Sequence, residues 1–143
     1  MEEFDFETLA KELIVEHLKT AENAPMVAAD IVKKISIAAV NGTALRQEPR
    51  ISVSAACRGV MGGMILLEAD LPETAVAVLR EMATVAAESN QDPMECMTWA
   101  MEGMATVCRL ASPDAQEAVR VAIDEKFMGA GEVFEKLLRS GGV

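Results

Sequence analysis

Tyrosine is absent from these 143 residues, which hold one tryptophan, four phenylalanines and a single histidine. Strands draw on aromatic and β-branched side chains, so a chain with 3% aromatics is poorly supplied for a β-rich fold. Cysteine is scarce too. Cys57, Cys96 and Cys108 are odd in number and contain no CxxC pair, which predicts reduced thiols in a cytoplasm rather than a disulfide framework. The opening MEEFDFE offers neither a basic nor an apolar signal region and predicts no export.

Positive charge is also in short supply. Thirteen Lys and Arg against 23 Asp and Glu leave a formal charge of −10, which argues against nucleic acid or an anionic membrane as partner. The imbalance is local: residues 1–24 carry −5, residues 25–67 carry +3, residues 68–105 carry −7 and residues 106–143 carry −1. The basic segment, with Lys33, Lys34, Arg46, Arg50 and Arg58, reads chiefly as solvated faces, with acidic helices of the fold or of a second subunit as other partners. Long apolar runs are missing. The best, residues 51–67, is short of the roughly 20 residues a membrane span needs and has Arg58 inside it.

Catalytic and metal motifs are missing in the same way. His17 has Glu16 beside it, yet neither HExxH nor ExxH occurs, so zincin and ferritin-like di-iron sites have no motif. No GxSxG provides a nucleophile elbow, and the glycines of GVMGG lack phosphate-loop spacing. An enzyme built on His17 and nearby carboxylates is the most remote of the readings considered.

What is present is helix. The hydrophobic share is 51%, mostly Ala, Val, Met and Leu, with mean hydropathy +0.21. Pro25, Pro49, Pro72, Pro93 and Pro113 recur every 20 to 24 residues, each ahead of a helix-forming run, as suits a first helical position. DLPE and DPME place Glu three residues after a capping Asp, and SPD supplies a capping Ser. Asp5 caps a first helix, with Phe4 spaced to pack on Leu9. These signals predict helices near 5–22, 25–41, 50–68, 71–89, 93–110, 113–127 and 131–139 in one domain over residues 1–143. The expected fold is all-α, a bundle of six to seven antiparallel helices with consecutive helices as neighbours. A short HEAT-like stack of helical hairpins is the alternative, since helix pairs recur at a suitable spacing. The repeated MAT of 82–84 and 104–106 is too short to establish a repeat.

Two helices, the third and the fifth, are apolar on nearly all sides and belong at the centre or against a second subunit. The third carries Ala55, Gly59 and Gly63 at i, i+4 and i+8, a row that permits close helix approach. The fifth carries Met94, Met97, Met101, Met104 and Cys108 as a heptad seam. A soft metal such as Cu(I) would suit those sulfurs, but the seam spreads them over about 20 Å, and metal ligands must converge on one point. Only Met61 and Met64 of the third helix are candidates to complete such a ligand set, and Met fits irregular contacts, so the seam reads as adaptable packing. The expectation is therefore an acidic, methionine-rich, non-enzymatic helical domain without a cofactor. It is expected to act in self-association, as a homodimer, or in contact with another protein through Ala55, Gly59, Gly63 and the methionine seam. A binder of a small apolar ligand or soft metal is the second reading.

Overall fold

Each of the five prolines stands in the first two positions of a helix in the computed structural model, which describes residues 5–17, 23–41, 48–67 and 69–140, His17 without its side chain. Seven helices are present among the described residues: α1 Phe6–His17, α2 Ala24–Asn41, α3 Pro49–Leu66, α4 Leu71–Ser89, α5 Pro93–Cys108, α6 Pro113–Lys126 and α7 Ala130–Ser140. The starts follow the local chemistry. Asp5, Asn23, Asp70, Asp92 and Ser112 each accept a backbone N–H of the first turn, with Asp92 Oδ1 2.8 Å from Met94 N. Asn90 ends α4 in the left-handed region at φ 56°, and the Gln91 N–H closes on Ala86 O at 2.9 Å. Phe4 and Arg46 lie outside the described residues, as do Gly42 and Gly141, the glycines that follow the second and seventh predicted helices.

The chain is an all-α bundle, and its helices lie in two layers. The most extensive contacts join alternate helices: α1 with α3, α2 with α4, and α3 with α5. Of the consecutive pairs, α2–α3, α4–α5 and α6–α7 are neighbours as expected, while α1–α2 and α3–α4 touch far less, so the bundle also has the alternate-helix contacts of stacked helical hairpins. One layer is α1, α3, α5 and α7; the other is α2, α4 and α6. Alternate helices run parallel. Gly59 meets Glu7 and Ala10 while Gly63 meets Lys11 and Ile14, and Lys33 and Asn41 of α2 reach Glu81 and Glu88 of α4 in the same order.

Position in this stack explains composition. α3 is enclosed by α1, α2, α4 and α5, which is why its buried residues cover nearly the whole circumference. α7 closes one end of its layer and is sharply two-faced, with Phe134 fully buried and Glu132, Lys136 and Arg139 exposed. α4 reads from sequence as an ordinary surface helix, yet it lies mid-layer between α2 and α6 and buries Thr74, Val76, Leu79, Met82 and Val85. Small Ala and Thr at its flanks hid the second buried side. One contiguous core draws on all seven helices, from Phe6 through Met61, Leu79 and Met104 to Ile123 and Phe134.

Much of the basic segment is paired across neighbouring helices of a layer rather than merely solvated. Arg58 Nε donates to Glu7 at 2.8 Å, Arg50 Nη2 stands 2.9 Å from Glu102, and Lys33 Nζ is 3.7 Å from Glu81. No helix among the described residues is long and apolar enough to cross a membrane.

Candidate interaction surface

The glycine row of α3 is occupied within the chain. A Cβ on Gly59 would lie 2.1 Å from Glu7 O and 2.8 Å from Ala10 Cβ, and one on Gly63 would lie 2.7 Å from Ile14 Cγ2. Ala55 is buried as well. The close approach that the row predicts is therefore made by α1, and Ala55, Gly59 and Gly63 offer nothing to a second subunit. The expectation of a contact through the third helix is corrected here: three glycines within one helix tell that something approaches, not what. The α3–α5 crossing is made from the other side, by Gly103, whose added Cβ would stand 2.3 Å from Ser54 O. Ser54 Oγ donates to Trp99 O at 3.2 Å across the same crossing.

The methionine seam divides along its length. Met104 and Cys108 are fully buried and Met101 is 3% exposed, while Met97 is half-buried and Met94 is 71% exposed. Its outer half, with Thr98, forms one wall of an open groove of about 440 Å³ between α5 and α7. The other wall is Phe127, Met128 and Val133, with backbone at Gly129 and Ala130. Every lining side chain is uncharged. Met128 is 98% exposed, at the tip of the α6–α7 turn.

That turn is built to hold its shape. Asp124 Oδ1 accepts the N–H groups of both Gly129 and Gly131 at 3.2 Å, capping α7, and Gly129 takes φ 90°, which favours glycine. At the far end of α7, Arg109 donates through Nε to Leu138 O at 3.0 Å and through Nη2 to Leu137 O at 2.9 Å. These bonds satisfy terminal carbonyls that have no partner within the helix. The two groups of contacts fix α7 parallel to α5, so the groove walls are rigid even where their side chains are adaptable.

Sequence reasoning missed the second wall. The signal was there in Lys126-Phe127-Met128-Gly129, two large apolar residues in a link where polar turn residues are usual. Arg109 and Gly103 also passed unnoticed, because their partners lie far away along the chain.

The cysteines are poorly placed for chemistry. All three are buried; burial pushes the Cys57 thiol up to about 12 and Cys108 up to about 11, and raises Cys96. His17 belongs to the last turn of α1, and its side chain lies outside those described. No group of three or more His, Cys, Asp or Glu that could hold a metal ion occurs among the described residues. A polar cleft between α6 and α7 holds Arg120 and Arg139, each paired with a carboxylate of its own helix, Glu117 and Glu135. Comparison with known protein families, with characterised proteins and with solved structures returns no match.

Proposed function

We propose that this chain is a non-enzymatic helical domain that associates with protein through the α5–α7 groove. The observation that carries the reading is Met128, 98% exposed on a turn held by Asp124, beside Met94 at 71% exposure. Scattered exposed apolar residues are ordinary, but a contiguous apolar groove with fully exposed rims is a mark of an interaction surface. The lining suits the task, because unbranched thioether side chains re-pack against whatever faces them.

A small apolar ligand fits less well. A molecule filling the floor of a groove of about 440 Å³ would leave the Met94 and Met128 side chains in water. The occupant that covers both rims is macromolecular, either another protein or a second copy of this chain.

Methionine-methyl NMR tests the reading. The methyls of Met94, Met97 and Met128 should shift or broaden when the protein is concentrated from micromolar to millimolar, or when helical amphipathic peptides of any charge are added. Met61, Met64 and Met104, fully buried, should hold still, and so should Met26, which is 64% exposed on α2. If the groove methyls respond to neither treatment, or Met26 responds equally, the reading fails.

A further inference from the structure

We infer that the groove receives one face of a basic amphipathic helix from a different protein; this rests on the association reading above and names its partner. Shape is the first argument. The walls are the flanks of two parallel helices, whose backbone groups are engaged within the helices, and no strand edge among the described residues could extend a sheet. From Met94 to Met101 the groove spans about 10 Å at 1.5 Å rise per residue, two turns of a helix. A helix lying there presents apolar anchors at i, i+3 or i+4 and i+7, the spacing at which helix-in-groove contacts are read. Its ends pass over both rims, which covers Met94 and Met128 together.

Charge selects the kind of helix. Carboxylates crowd the chain around the groove, and four already have partners: Asp92 and Asp124 cap helices, Glu102 pairs with Arg50 and Glu135 with Arg139. Three more, Glu95, Glu125 and Glu132, are exposed, lie within two residues of a lining residue along the chain and enter no ion pair among the described residues, Glu132 also lining a separate cleft of α7 beside Lys136 and Arg139. Lys126 and Lys136 are the cations nearby and do not balance the set. The whole chain adds its formal charge of −10. A second copy would bring the same net negative charge towards this one, and like charges facing across an interface oppose association. An acidic or neutral helix gains only the apolar contact. A basic helix gains that contact, offers cations to exposed carboxylates such as Glu95 and Glu125, and is drawn in by the field of the chain.

Titrating the intact protein with three synthetic peptides decides the matter. One has a Leu face and a Lys face, one the same Leu face with Glu for Lys, and one scrambles the Leu/Lys sequence so that no apolar face forms. The Leu/Lys helix should bind about tenfold or more tighter than either control, through Met94, Met97 and Met128, and added salt should weaken it several-fold. Met94→Ser with Met128→Ser should reduce its affinity about tenfold, and Glu95→Gln with Glu125→Gln and Glu132→Gln should reduce it while sparing the Leu/Glu peptide. All five positions are exposed, and native melting of each variant shows that folding is intact. Equal binding of the scrambled peptide would overturn the inference, because charge alone would then explain it. Preferential response of the groove to the Leu/Glu helix, or to a second copy, would overturn the basic partner and leave the association reading standing. A groove that answers to no peptide and no copy would end both.

Discussion

Gly59 and Gly62 stand within one turn of α3 and should respond oppositely to the same substitution. Nothing lies within 4 Å of a Cβ built on Gly62, so Gly62→Ala removes backbone freedom from the unfolded chain and stabilises by about 0.5–1 kcal/mol. Gly59 and Gly103 face backbone oxygens, Glu7 O and Ser54 O, which cannot turn aside as a flexible side chain can. Gly59→Ala and Gly103→Ala should each destabilise by about 1–3 kcal/mol as α1 or α3 is pushed away. Urea unfolding of the three variants checks the pattern, and a stable Gly59→Ala would refute the crossing described.

The thiols make a second prediction at this scale. The folded chain holds Cys57 and Cys108 protonated up to about 12 and about 11, whereas an exposed thiol loses its proton near 9.0. Below the exposed value the two states bind the same protons. As pH rises from about 9 towards 11, the unfolded chain releases protons that the folded chain keeps, so stability falls, by at most about 1.4 kcal/mol per pH unit for each thiol. The Cys57→Ala, Cys108→Ala double variant should lose stability less steeply over that window than the wild type. Parallel slopes would show that neither thiol contributes.

At the scale of the element, α7 depends on two side chains outside it, Asp124 just before it and the distant Arg109. It has 11 residues, short for independent stability, and only Gly131 and Phe134 are fully covered. Arg109 holds its C-terminal carbonyls and Asp124 its N-terminal amides. Arg109→Leu should therefore raise amide hydrogen exchange throughout α7, while α3, enclosed on four sides, keeps its protection. Loss of protection spread evenly over all helices would mean that α7 and the core open as one unit. Because α7 is one wall of the groove, the same variant should weaken any groove contact without touching its lining.

At the scale of the molecule, the argument for a second subunit changes ground. Two nearly all-apolar helices suggested a shared interface, but α3 is enclosed within one chain, and the large apolar residue that α5 exposes is Met94 at its N-terminal end. Two chains of charge −10 repel, so any self-association through the groove should strengthen as salt screens them, the reverse of the salt dependence expected for a basic partner. Sedimentation velocity across ionic strength measures this, and Met128→Asp should abolish it. A dimer that is insensitive to both salt and Met128→Asp lies on another surface.

The helices and their starts were legible in the sequence because caps and prolines act within one turn: Asp70, Asp92 and Ser112 need only their own N–H neighbours to mark a beginning. The burial of α3 was legible for a similar reason, since a face with no charged residue has only one stable destination. Which helix fills a given face is a different matter. Gly59 is equally suited to α1 or to a partner's helix, and the i, i+2 pairing of the layers depends on how all the apolar faces are shared at once. The methionine seam is uniform as a string, yet its buried and exposed halves are separated by where α7 begins. Asp124 and Gly129 set that point within the turn, but α7 lies beside α5 because Arg109 reaches Leu137 and Leu138, 28 and 29 residues away, so only the tertiary structure decided that the seam is half core and half groove.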